Sequence, residues 1–303
     1  MIKSGRTKAG DLLFVLICVF VILLCILPML NLLAQSLSSA QSIINRKVTF
    51  WPMVHDTEKN IHHFGATPDS YIYVFMDASF SRSMIWTAIL TAVCTTWSLI
   101  ITILCAYPLT YPWLKGRGVI NTFIIFTMYF SAGIIPNYIL MKNLGLLNNP
   151  LVLILPNCLS VFNMIILRSF FYGIPDSLRE SAEIDGANPL VVLIRIYLPL
   201  SAPVLATLAL FYAVGRWNGF TDALMYINAA PQWVPIQLKL YQILQNMSSI
   251  EVATVEMVSG TIPRTTDAMK AAAVMFATVP ILLVYPWLQR YFIAGVTIGA
   301  VKG

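Results

Sequence analysis

Residues 172–199 read Tyr172-Gly-Ile-Pro-Asp-Ser-Leu-Arg-Glu-Ser-Ala-Glu-Ile-Asp-Gly-Ala-Asn-Pro-Leu-Val-Val-Leu-Ile-Arg-Ile-Tyr-Leu-Pro199. The punctuation of this stretch predicts two short helices meeting at an angle. Ser177, with Glu180 three residues on, has the pattern of a capping box that opens the first helix, and Gly186 suits the left-handed position just past its end. Asn188 can cap the second helix, with Pro189 at its first position, where no amide is needed. Pro199 then breaks the chain before the next apolar run. In the first helix Ala182 is small and its flanking positions are acidic, so one face admits close approach by another surface while the other stays wet. On the residues alone, such a pair serves either as a solvated connector or as a docking element for a partner protein.

On both sides of this segment the charges disappear. Stretches without Asp, Glu, Lys or Arg cover 12–45, 83–114, 118–141, 143–167, 196–215 and 271–289. About 20 apolar residues at a rise of 1.5 Å cross a hydrocarbon core of roughly 30 Å, and a helix satisfies its backbone without water. The runs predict an all-α membrane protein with six transmembrane helices, at 11–34, 83–107, 119–141, 150–170, 199–221 and 269–290. Extracytoplasmic loops are expected at 35–82 and 222–268, a cytoplasmic loop at 171–198, and cytoplasmic ends at 1–10 and 291–303. A further run, 223–238, is short and is interrupted by Pro231 and Pro235, which places it outside the membrane. The first apolar run continues to about Leu33, beyond the roughly 7–15 residues of a signal-peptide core, and reads as a retained anchor.

Composition points the same way. Of 303 residues, 58% are hydrophobic and 11% charged, with a mean hydropathy of +0.77, whereas a soluble domain carries about a quarter charged residues. This rules out an ordinary cytosolic enzyme, a disordered regulator and a secreted disulfide scaffold. Lys3, Arg6, Lys8, Lys115, Arg117, Arg179, Arg195, Arg290 and Lys302 fall on one side of the predicted topology, mostly beside span ends, which puts both termini in the cytoplasm. The net charge of +6 follows from basic residues lying next to anionic headgroups and is no sign of nucleic acid binding. Cys18, Cys25, Cys94, Cys105 and Cys158 all fall in predicted spans, without metal-site spacing, and read as small apolar residues.

Several chemistries lack their residues. There is no phosphate-binding Gly-x-x-x-x-Gly-Lys-Ser/Thr loop, no Gly-x-Ser-x-Gly elbow and no His-Glu-x-x-His helix, so any energy source must lie in another chain. His55, His62 and His63 share the first outer loop with Asp56 and Glu58, but their spacing fits no helical ligand pair, and a solvated loop is the expectation.

Glu180-Ser181-Ala182, three residues, Gly186, nine residues, Ile196, one residue and Leu198-Pro199 together resemble the signature loop of the membrane subunits of binding-protein-dependent ABC importers, Glu-Ala-Ala-x3-Gly-x9-Ile-x-Leu-Pro. Ser181 is the one departure. Trp217-Asn218-Gly219-Phe220 and the ending Gly295-Val-Thr-Ile-Gly-Ala-Val-Lys-Gly303 resemble the maltose-type carbohydrate permeases. Ala132-Gly133-Ile-Ile-Pro136-Asn-Tyr138 and Leu144-Gly-Leu-Leu-Asn148 resemble the branch associated with complex oligosaccharides. The likeness covers the chain from Trp86 to Gly303.

The resemblance implies a type I ABC importer permease with a coupling-helix loop between its fourth and fifth spans, carrying a carbohydrate across the bacterial cell membrane. It implies a second homologous permease, two copies of a cytoplasmic ATPase that bind the ATP and Mg, and an extracytoplasmic sugar-binding protein; this chain itself is not catalytic and holds no cofactor or metal. Glu180, Ala182, Glu183, Asp185, Gly186 and Ala187 would then meet the ATPase, while Ile196, Leu198 and Pro199 brace the loop. The tail, with Gly295, Gly299, Lys302 and Gly303, would insert between the ATPases, where the residues alone suggest a frayed end or a helix-packing motif. Tyr212 and Arg216 are candidates for the sugar path, with Trp217 and Asn218 beside them. Arg216, about 25 Å along a helix counted from Pro199, could equally snorkel or pair with a neighbouring permease. Ile236, Leu240, Ile243 and Leu244 form an amphipathic stretch suited to receive the binding protein. The rival readings are an importer permease for another solute and a secondary transporter. The latter would need coupling-ion carboxylates within its spans, and the six charge-free stretches contain none.

Overall fold

The computed structural model describes residues 8–56, 61–248 and 266–300. The chain forms two units, one comprising residues up to Ser81 with Leu240–Val279, the other Arg82–Lys239 with the residues from Pro280 onward.

In the first unit, α1 (Lys8–Ser36) is apolar all round, and none of its most apolar window is buried within the chain. A helix of this kind has lipid or another apolar helix for its surroundings. The following loop departs from the all-α expectation for the fold. After α2 (Ala40–Ile44), β1 (Met53–Asp56) and β2 (Ile61–Phe64) pair antiparallel, with His55 opposite His62. The other edge of β1 is held by serine hydroxyls: Ser38 and Ser39 accept from the amides of Met53 and His55 at 3.0 Å each. These side chains satisfy the edge that the hairpin leaves open. In α3 (Asp69–Met76) and the first turn of α4, Phe75 and Phe80 pack on Phe276 at ring separations of 4.5 and 5.6 Å.

The second unit begins along α4 (Ala78–Ala106) and continues through a 3₁₀ turn at Pro108–Thr110 to α5 (Arg117–Tyr129) and α6 (Ile134–Asn143). The span expected at 119–141 is not straight, because α5 and α6 meet at 113°. Gly133 turns the chain with φ +88, a conformation that strains any residue with a Cβ. Pro136 falls in the first turn of α6, where its missing amide costs nothing. The span expected at 150–170 is also in two pieces, α7 (Leu151–Ile154) and α8 (Val161–Phe171). Pro156 lies between them, and Ser160 starts α8 afresh by accepting from the amide of Asn163.

Next come α9 (Asp176–Ile184), α10 (Pro189–Val192), one π-helical turn (Leu193–Tyr197), α11 (Leu198–Leu200) and α12 (Ala202–Asn218). The break lies at Ser201, with a bend of 83°, and not at Pro199. The π turn accommodates Pro199 by widening the helix where its ring would meet the carbonyl of Arg195. Pro203 then removes the amide that would have bonded back to Pro199, so the helix restarts. Beyond lie α13 (Thr221–Tyr226), α14 (Ile236–Ser248) and α15 (Thr266–Ala300). Among the described residues, two helices, 10–36 and 78–110, are long and apolar enough to cross a membrane, or up to four if each bent pair is one span. The core of this unit gathers Ala106, Tyr107, Met164, Leu167, Phe171, Val192, Leu193, Tyr197 and Leu208. It therefore ties the end of α4 to α8, α10 and α12.

Candidate functional site

The charged segment folds into the expected pair of short helices, and its turn is fully built. Gly186 has φ +84. Its amide donates to Glu183 at 3.1 Å, and that of Ala187 donates to Ala182 at 2.9 Å. Those two bonds make a Schellman turn, which satisfies the last carbonyls of α9 and favours glycine at Gly186. Asn188 caps α10 by accepting from the amide of Val191 at 2.9 Å, with Pro189 at the first position. The capping box is not formed. The helix opens two residues earlier, behind Pro175, with Asp176 in its first turn. Asp176 there meets the positive end of the helix dipole and Arg179.

Which face of α9 is free also differs from expectation. Arg179 is buried, Ala182 and Glu183 are half-buried, and Ala182 and Ala187 pack against the chain's own core. The smallness of Ala182 serves internal packing. Ser177, Glu180, Ser181, Asp185 and Gly186 are exposed, and Ile184 stands out at 85% exposure. Ile196 and Leu198 pack on the core while Pro199 is exposed. The free surface is thus an isoleucine rimmed by carboxylates.

Arg179 holds the helix in place, and sequence reading missed it. It is 3% exposed, pairs with Asp176 at 3.0 Å and with Glu183 at 3.8 Å. Its guanidinium lies 5.1 Å from the ring centre of Tyr111 and 4.9 Å from that of Trp113. The sequence signal was a lone cation with acids three before and four after it, and an aromatic pair beyond α4.

A second feature is a cleft of about 800 Å³ lined by Ser98, Asn157, Asn163, Tyr212, Arg216 and Asp222 among others. The shortness of α7 leaves the carbonyl of Leu153 without a helical partner, and Arg216 donates to it at 3.2 Å. Arg216 also donates to both carboxylate oxygens of Asp222, at 2.5 and 3.0 Å, and to the carbonyl of Gly219 at 3.2 Å. It neither snorkels nor waits for another chain, and the restart at Ala202 places it roughly 21 Å along its helix. Tyr212 accepts from the amide of Ser160 at 3.1 Å and shares a hydrogen bond of 2.7 Å with Thr102. This surface offers hydroxyls, amides and a neutralised ion pair, which suits a solute rich in hydroxyl groups.

The other candidates separate from that cleft. Trp217 lines a different, mostly apolar pocket with Thr91, Thr95 and Pro280, and Asn218 is exposed, donating to the carbonyl of Val214. Ile236 and Leu240 are buried, and the amide of Ile236 donates to Thr87 at 2.7 Å. These two belong to the interior, whereas Ile243 is half-buried and Leu244 is exposed. Asn148 and Tyr138 pin the segment after α12: Asn148 accepts from the amides of Asn228 and Ala229 at 2.8 Å each, and Tyr138 stacks on Tyr226. Gly295 and Gly299 lie within α15, whereas Lys302 and Gly303 fall outside the described residues. His62 is held by Ser42 and Asn45, and the described residues contain no group of three or more potential metal ligands.

Residues 61–298 match the model of a family described as the inner membrane component of binding-protein-dependent transport systems. The polygalacturonan/rhamnogalacturonan transport system permease protein YtcP of Bacillus subtilis is 37% identical over 98% of this chain and 100% of its own length. Protein LplC of Bacillus subtilis is 40% identical over 98% and 97%. A crystal structure of a bacterial ABC transporter involved in the import of the acidic polysaccharide alginate contains a chain that superposes with a TM-score of 0.84 at 28% identity, covering 96% of this chain and 99% of that one. With the helix pair, its glycine turn and the bent apolar helices in place, the chain belongs to the family of inner membrane components of binding-protein-dependent transport systems.

Proposed function

We propose that this chain is the membrane permease subunit of an ATP-driven importer that carries an oligosaccharide delivered by an extracytoplasmic binding protein. The observation that carries it is the α9–α10 pair: a rigid helix turn whose free face is an exposed isoleucine among carboxylates, a surface fit for a partner's apolar groove with basic edges. Carbohydrate as the cargo rests on relatives named for polygalacturonan, rhamnogalacturonan and arabinooligosaccharides, and on the hydroxyl-suited lining around Tyr212 and Arg216. In this reading the chain crosses the cytoplasmic membrane six times with both termini inside. It pairs with a second permease and docks one of two ATPase copies, which bind ATP and Mg. Glu180, Ile184, Asp185 and Gly186 meet the ATPase, and the end of α15 with the residues after it approaches the ATPase pair.

Gentle solubilisation of a tagged copy, with mass spectrometry of what co-purifies, tests the assembly. A second permease and an ATPase near one to one to two are expected, and uptake of labelled oligosaccharides into liposomes carrying that assembly defines the cargo. Recovery of this chain alone, active without ATP, would overturn the reading.

A further inference from the structure

We propose that Arg179 is a positioning residue that makes α9 and the α4–α5 linker move as one body, so that force applied at the exposed tip of α9 reaches α4. This rests on the reading that α9 docks an ATPase. The segment needs such a joint. α9 is nine residues long, places only the half-buried Ala182 among the apolar side chains packed on the core, and is followed by a glycine in the left-handed region. One alanine buries little surface, and a helix held by it alone would swing about Gly186 when pushed.

The contacts form a closed ring. Arg179 lies against Tyr111 and Trp113 of the linker. The Tyr111 and Tyr107 hydroxyls are 2.6 Å apart, and Tyr107, at the end of α4, donates to the carbonyl of Pro189 at 2.9 Å. With that bond made, the Tyr111 hydroxyl must donate to Tyr107. Pro189 opens α10, and α10 returns through Asn188, Ala187 and Gly186 to α9. A closed ring cannot hinge at Gly186 without breaking one of its members. The guanidinium is the member suited to two rings at once, because it lies within about 5 Å of both ring centres, which are themselves only 5.7 Å apart, and still pairs with Asp176. An ammonium group would keep the charge and lose the double contact.

The test uses the chain co-purified with its ATPases in lipid nanodiscs, on a background with its five cysteines replaced. Spin labels are placed at Ser177 and Gly118, both exposed, and a side chain at Gly118 meets nothing within 4 Å. The label-to-label distance is measured without nucleotide and after trapping with ATP and vanadate. One narrow distribution is expected in both states for the unaltered joint. Arg179→Ala and Arg179→Lys should each at least double its width while recovering the same amount of ATPase. Trp113→Ala removes one ring of the joint from a residue 63% exposed, leaves no charge without its ion partner, and should widen the distribution if Arg179→Ala fails to assemble. Distributions as narrow as the original in the Arg179→Lys and Trp113→Ala variants would overturn the proposal. If no ATPase accompanies the chain, the docking reading fails, and the distances without nucleotide still decide whether the joint is rigid.

Discussion

Arg216 and Asp222 form a two-pronged ion pair at 2.5 and 3.0 Å across the turn at Gly219, with side chains 8% and 15% exposed. Removing one member leaves a charge in a low-dielectric wall of the cleft. Asp222→Ala should therefore destabilise the protein by about 3–5 kcal/mol. Replacing both, Arg216→Met with Asp222→Leu, should cost less than Asp222→Ala alone. Thermal unfolding in one detergent decides this, and equal midpoints for Asp222→Ala and the unaltered protein would refute the pairing.

Two glycines should fail for opposite reasons. At Gly219 the backbone is ordinary, with φ −73, but an added Cβ would sit 3.2 Å from both Arg216 Nη2 and the carbonyl of Gly215. Gly219→Ala should cost roughly 1–3 kcal/mol through crowding. At Gly186 there is open space but φ is +84, so Gly186→Ala should cost about 1–2 kcal/mol through backbone strain. Gly186→Asn should restore most of the stability of that second variant, since Asn tolerates the left-handed region. Asn at position 219 should not help.

Gly186→Pro is the harsher case, because proline fixes φ near −65° and cannot take the observed turn. The variant should insert in the membrane yet hydrolyse ATP without delivering solute. Uptake at the unaltered rate in liposomes would contradict the lever role of the turn.

His62 gives the β1–β2 hairpin an acid sensitivity. Burial first, then the charges of His55 and Lys47, hold its pKa below the ordinary 6.5. The Asn45 amide donates to Nε2 at 3.2 Å, which assigns the proton to Nδ1, facing Ser42 at 2.9 Å. A lowered pKa means that the folded loop prefers the neutral ring. Its stabilising contribution is complete above pH 6.5 and is lost as pH falls through the depressed value. Hydrogen-exchange protection of the amides in 53–56 and 61–64, corrected for the intrinsic rate at each pH, should therefore fall in acid, and His62→Gln should remove that dependence.

The last turns of α15 continue to Ala300. Deleting Val296 to Gly303 should leave insertion intact and reduce the stimulation of ATP hydrolysis by the loaded binding protein. Undiminished stimulation would assign the tail no part in the partnership.

Much of this was legible in the sequence because it depends on local chemistry. Gly186, Asn188 and Pro189 act within a few residues of themselves, so their turn and cap could be read directly. Ser177 misled because Pro175 already caps the helix, two residues too early for the capping box. The bends at Gly133 and Ser201 were written in Gly133, Pro136 and Pro203, yet uniform hydropathy hid them, since an apolar run looks the same straight or folded.

What the sequence determined alone is that this chain lives in a membrane and carries a helix turn of fixed geometry between apolar runs, because charge-free stretches and φ-restricted residues leave few alternatives. Tertiary structure decided which residues that turn presents and which it hides. Ala182 faces inward, Ile184 outward, Arg179 settles against Tyr111 and Trp113, and Arg216 finds Asp222 instead of water. A buried cation needs an anion or aromatic faces to offset its lost hydration, and for Arg179 part of that comes from residues more than sixty positions away, which only the fold brings within reach.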